Sequence, residues 1–136
     1  MKHNFMKNWR VVKYIIKKQY DIGVVDLELL IFLYSEGRFT KDDFEWYKQI
    51  VPWDNQRFTR LMKEGWVKKW GQNYKHRRAV YELTHRGKTM VARVYRLLLE
   101  EERFPDSTAT SINKKKTYTN NRYRKAIRDL NKDRSF

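Results

Sequence analysis

The chain has 136 residues and a formal charge of +15, with a pI of about 10.1, and is long enough for one folded domain with a tail. Such a charge favours nucleic acid, an anionic membrane or an acidic protein as partner, and says nothing of the fold. The absence of cysteine excludes disulfides, thiol redox sensing and thiolate metal sites. Aromatics at 15% argue against disorder, and no apolar run approaches the roughly 18 residues that cross a bilayer. The basic N-terminus lacks a signal-peptide core, because Lys13, Lys17 and Lys18 interrupt it. A cytoplasmic, reducing compartment is therefore expected.

Phe5, Trp9, Val12, Ile16 and Tyr20 recur at steps of three or four, which predicts a helix over 5–20. An ordinary core helix fits this pattern, and so does a helix that pairs with a partner subunit. A membrane-surface helix also fits the composition, but nothing else in the chain supports it. After the break at Asp21 to Gly23, residues 26–36 form a helix that is apolar nearly all round and ends at Gly37. Thr40 is the expected N-cap of the next helix, with Asp43 at capping-box spacing and Phe44, Tyr47 and Ile50 as its buried stripe. Val51-Pro52 ends it, and a further helix is expected from about Trp53 to Glu64. Two short helices around a tight break make a helix-turn-helix.

In the second of these helices Phe58, Leu61 and Met62 face inward. Asn55, Gln56, Thr59, Arg60 and Lys63 face mostly outward, and Arg57 lies near the boundary. Amides and guanidiniums are the groups that read base edges in a major groove. Polar residues on a solvated face are the rule for any helix, so it is the position just before a basic hairpin that favours base contact. Gly65 supplies the left-handed cap. Trp66 to Trp70 and Ala79 to Thr84 then have β composition around a turn marked by Gly71 and Asn73. Lys75, His76, Arg77 and Arg78 charge that turn, as a phosphate-gripping wing requires.

Thr84 is the expected N-cap of a helix reaching about Glu102, with Met90, Val91, Val94, Leu97 and Leu98 as its seam. Glu100 to Glu102 would oppose that helix's dipole. Residues 105–119 read as a polar, basic linker, and Tyr123, Ile127 and Leu130 give a thin stripe to a last helix over 120–132. This 120–136 segment, opposed only by Asp129 and Asp133, could fold on nucleic acid, dock beside the first helix or bind a protein. His3, His76 and His85 have no metal-ligand spacing, and there is no phosphate loop or nucleophile elbow. No cofactor and no enzymatic activity are expected.

LELLIFLYSEGRFT, RLMKEGWVKKW and HRRAVYELTHRG, in that order, resemble a MarR-type winged helix protein over about residues 24–102. The most specific parts are LxxxGWV at Leu61 to Val67 and LTxxG at Leu83 to Gly87. The resemblance implies a mainly α fold with a small β-hairpin, and a homodimer joined through N- and C-terminal helices. The winged helix would then occupy 1–104, followed by the 105–119 linker and the 120–136 tail. It also implies a recognition helix at 53–64 in the major groove of double-stranded DNA, and a wing at 71–78 on the minor groove or its phosphates. Arg77 or Arg78 matches the family's wing arginine, but the acid usual before it is replaced within Lys75-His76-Arg77-Arg78. Trp46, Tyr47 and Val51-Pro52 also depart from the pattern, as in a divergent relative such as a viral one. Two functions follow: a dimeric transcriptional regulator that binds DNA, or an interaction module of a viral particle or polymerase assembly.

Overall fold

The computed structural model describes residues 4–51, 54–73, 78–105, 118–132 and 134. In chain order these form α1 (Phe5–Tyr20), α2 (Val24–Glu36), β1 (Phe39–Thr40), α3 (Lys41–Tyr47) and α4 (Asn55–Lys63). They continue with β2 (Val67–Asn73), β3 (Arg78–Leu83), α5 (His85–Leu98) and α6 (Tyr118–Lys132). The fold is mainly helical with a small sheet, as the sequence predicts. The chain divides into two compact units, one of residues 23–91 and one of residues 1–22 and 92–136, with α5 contributing to both.

In the 23–91 unit, α2 buries Leu27, Leu29, Leu30 and Leu33 and stops at Gly37, whose φ of +82° favours glycine. Thr40 and Asp43 form the expected reciprocal capping box at the start of α3. α3 is shorter than expected. It closes at Tyr47 in a run of turns, so Ile50 is 62% exposed rather than buried. Asp54 caps α4 by accepting the Arg57 N–H at 2.7 Å, while Pro52 and Trp53, the expected entry, lie outside the described residues.

Sheet order is β1-β3-β2, antiparallel throughout. No residue pattern announces β1, a two-residue strand that pairs Phe39 with Tyr81. Its consequence is an aromatic cluster in which Phe39 meets Phe44, Phe44 meets Phe58 and Phe58 meets Tyr81, at centroid separations of 4.7, 5.6 and 4.8 Å. These edge-on contacts fix both helices of the helix-turn-helix on the sheet.

The two sequence motifs form one junction. Gly65 has a φ of +82° and closes α4. The Thr84 hydroxyl donates to Gly65 O at 2.6 Å and accepts the Gly87 N–H at 3.1 Å, so Thr84 is the N-cap of α5. A Cβ on Gly87 would lie 2.7 Å from Trp66 O, closer than real contacts allow. That explains the glycine of LTxxG, since α5 starts against the backbone on which α4 ends.

In the other unit, Asn4 caps α1 by accepting the Lys7 N–H. The buried face of α1 is Asn8, Val11, Val12, Ile15 and Ile16, turned from the expected stripe, and Phe5 is 74% exposed. Asn8 joins this face as a polar side chain taken inside by hydrogen bonds that a hydrophobic pattern cannot register. Its Nδ2 donates to Leu98 O at 3.2 Å and its Oδ1 accepts from Arg134 Nη2 at 2.5 Å. Arg134 also donates to Glu102 O at 2.7 Å and lies 4.0 Å above the Phe104 ring. Burial holds its guanidinium below the usual arginine range.

α5 ends at Leu98 rather than near Glu102, and Glu100 turns left-handed at φ 62°. Glu102 folds back to accept from Arg93 Nε at 3.3 Å and Arg96 Nε at 3.1 Å, so this acid does not oppose the dipole from within the helix. α6 packs against α1, with Tyr123 stacked on Tyr14 at 3.8 Å and 7° and Lys7 paired with Asp129 at 3.6 Å. Of the roles open to the last helix, docking beside the first is the one seen. The 105–119 linker lies outside the described residues except for Pro105 and the first residues of α6.

Gly87→Ala should destabilise the chain by about 1–3 kcal/mol through the clash with Trp66 O, read by urea unfolding. Gly71→Ala, whose Cβ would meet nothing within 4 Å, is the control. Burial, then the Tyr123 phenol, raises the Tyr14 pKa above 10.0, and Arg124 pulls the other way. The folded state therefore holds this proton longer than the unfolded chain does. Its contribution to stability is complete below the ordinary tyrosine value and lost as pH rises through the raised one. Tyr14→Phe should flatten the alkaline fall in unfolding midpoint, read by thermal unfolding across a pH series.

Candidate nucleic-acid interface

α4 is short, capped at both ends and pinned on one side by Phe58 and Leu61, which are buried. Its period then sets the opposite face. Asn55, Gln56, Thr59, Arg60 and Lys63 line one open concavity of about 460 Å³. The outward set expected from the sequence is thus brought together, with Arg57 excluded from it. Arg57 turns inward, its side chain 22% exposed, and donates from Nη1 to Asp26 Oδ1 at 2.5 Å. Its buried Nε has no hydrogen-bond partner among the described residues. Arg60 donates from Nη2 to both oxygens of the same carboxylate at 2.8 Å, yet its side chain stays 48% exposed.

The hairpin beside α4 runs in register from Val67↔Leu83 to Asn73↔Arg78, with a shift between Lys69 and Gly71. Trp70 sits at that irregularity, and the Arg38 guanidinium stacks 3.8 Å from its ring. Arg38, Lys68 and Lys88 converge on Glu82 at 3.7, 3.7 and 3.5 Å, so one carboxylate neutralises part of a cationic sheet surface. Lys75, His76 and Arg77 of the expected wing tip lie outside the described residues, and Arg78 is the first residue after it.

Among solved structures the chain is similar to the reduced form of MarR from E. coli. The TM-score is 0.52 at 19% identity, over 71% of this chain and 76% of that one. It is also similar to reduced AbfR bound to DNA, with a TM-score of 0.50 at 18% identity, over 88% of this chain and 80% of that one. The fold is that of a MarR-type winged helix. No family model matches the chain, and neither does any curated protein.

Within this MarR-type fold, α3 and α4 are the helix-turn-helix and β2–β3 the wing. Arg78, the first described residue after the hairpin tip, pairs with Asp42 in the first turn of α3. Both side chains are well exposed, so the pair directs the guanidinium more than it stabilises the fold. Thr40, Lys41, Asp42, Arg78, Ala79 and Tyr81 border a cavity of about 400 Å³ there.

Sequence reasoning missed Asp42 and Asp26. Asp26 falls at helical spacing with Leu29, Leu30 and Leu33, so an acid within a buried stripe was the available signal. His85 lies beside Thr89 Oγ1 at 3.5 Å. Among the described residues no group of His, Asp or Glu is placed to hold a metal, and no helix is long and apolar enough to cross a membrane.

Arg86 ties this surface to the core by donating to Glu64 O at 2.8 Å, at the end of α4, while its guanidinium lies 3.8 Å from the Trp66 ring. Arg86→Ala should lower stability by about 1–2 kcal/mol, measured by urea unfolding with tryptophan emission. Arg86→Lys should restore only part of this, because an ammonium lacks the planar stack.

Proposed function

We propose that the chain is a dimeric transcriptional regulator that binds double-stranded DNA, with α4 in the major groove and the 71–78 wing on the backbone or minor groove. The observation that carries this reading is the α4 face, where five polar side chains line one concavity. Such a face suits base edges, and Asn55, Gln56 and Arg60 are the groups able to bond them in pairs. The charge of +15 supplies the sequence-independent attraction. Reduced AbfR, a solved structure of this fold, is bound to DNA, which supports the same assignment. Exposed Phe5, Met6 and Leu99 lie in the unit built from α1, α5 and α6 and suit an apolar contact with a second copy.

A second reading, a docking module of a larger viral or polymerase assembly, draws on Trp46 and Ile50, both exposed apolar side chains at α3. It requires a protein complex that survives nuclease and high salt. The regulator reading requires instead that selection from random duplexes return a preferred sequence, and a flat outcome would sink it. Reversing charge at Arg77 and Arg78 should weaken binding to every duplex and flatten the salt dependence by roughly 0.9 for each phosphate no longer neutralised. Replacing Asn55 or Gln56 should alter the preferred sequence more than the total affinity.

A further inference from the structure

We propose that Asp26 is a positioning residue for sequence reading: it holds Arg60 in place at the α4 face and withdraws part of the helix's charge from phosphate. The inference rests on the DNA-binding reading above and deepens it.

Asp26 is 7% exposed. A carboxylate so placed needs close polar partners, and among the described residues both come from α4. Arg57 and Arg60 stand three residues apart, hence on neighbouring parts of one helix face. Arg57 is committed inward by this contact. Among the described residues Arg60 is anchored through Nη2, while nearly half of its side chain remains at the surface in the wall of the α4 concavity.

A guanidinium has five N–H donors in a rigid plane. Holding Nη2 against the carboxylate restricts the guanidinium, so Arg60 meets a base edge with part of its rotamer freedom already lost. That lowers the ordering cost of a directed contact, such as the paired bonds of arginine to guanine. The same carboxylate subtracts one unit of charge from a helix that carries Arg57, Arg60 and Lys63. Attraction to phosphate, which is blind to sequence, falls accordingly. Asp26 thus acts in opposite directions on the two kinds of binding: it favours the selected site and disfavours all other DNA. A purely structural ion pair would support both alike.

The test uses the full chain. A preferred duplex is selected with the wild type, and dissociation constants for it and for a mixed-sequence duplex are measured across a salt series with Asp26→Asn. The expected result is a loss of discrimination of about tenfold, tighter binding to the mixed duplex, and a salt slope steeper by about one. The relaxed base pairs should be the same ones that Arg60→Ala relaxes. Removing the carboxylate leaves Arg57 partly buried and unpaired, so the double variant Asp26→Asn/Arg57→Met guards against misfolding, with the discrimination ratio as its readout. Unchanged discrimination, or a proportional fall for both duplexes, overturns the inference while leaving the regulator reading intact. A wild type without sequence preference removes both.

Discussion

Four elements meet at the carbonyl oxygen of Trp66. It accepts the Thr84 N–H at 3.0 Å and lies 3.3 Å from the Thr84 hydroxyl, and it is the atom that leaves no room for a side chain at Gly87. Just upstream, Gly65 closes α4, and just downstream β2 begins. The last residue of β3, Leu83, pairs with Val67 and leads directly into Thr84 and α5. The angle between α4 and the hairpin is therefore set by backbone contacts with almost no slack, and Arg86 and the aromatic cluster brace it from either side. A recognition helix and a wing can act on one stretch of duplex only if their separation is constant. The close approach at Gly87 provides that constancy, so the proposed interface depends on a contact that touches no ligand.

On a chain of charge +15, each carboxylate matters more than its number suggests. Three of them gather cations: Asp26 holds Arg57 and Arg60, Glu82 meets Arg38, Lys68 and Lys88, and Glu102 meets Arg93 and Arg96. Asp42 adds Arg78. These acids leave the molecule strongly basic. They decide instead which guanidiniums are fixed and which remain to move, and they relieve repulsion within a small unit. The solvated pairs among them contribute little stability, so their physical effect lies in orientation.

The architecture was legible because it rests on local rules. The capping box at Thr40, the left-handed glycines at 37 and 65, and the Thr84 cap each follow from a few neighbouring residues. The outward face of α4 was legible from helical period alone. What escaped depends on partners distant in sequence. Asn8 is buried by bonds to Leu98 and Arg134, on a face of α1 turned from the expected stripe. Strand β1 is too short to carry a pattern, and Ile50 was assigned to a helix that had already ended. Asp26 and Asp42 escaped because the arginines they hold lie on other elements.

The hydrogen bond between Asn8 and Arg134 joins residues 126 positions apart, whereas the 23–91 unit is one continuous stretch of chain. Closing a loop of that length carries an entropic cost that local contacts do not, and distant pairings form slowly for the same reason. Loop closure alone therefore favours earlier assembly of the continuous unit. The helix-turn-helix and hairpin can assemble from neighbouring residues, while the bond from Asn8 to Arg134 needs both ends of the chain. During folding, the surface proposed to read DNA would exist before the helices proposed to join two copies.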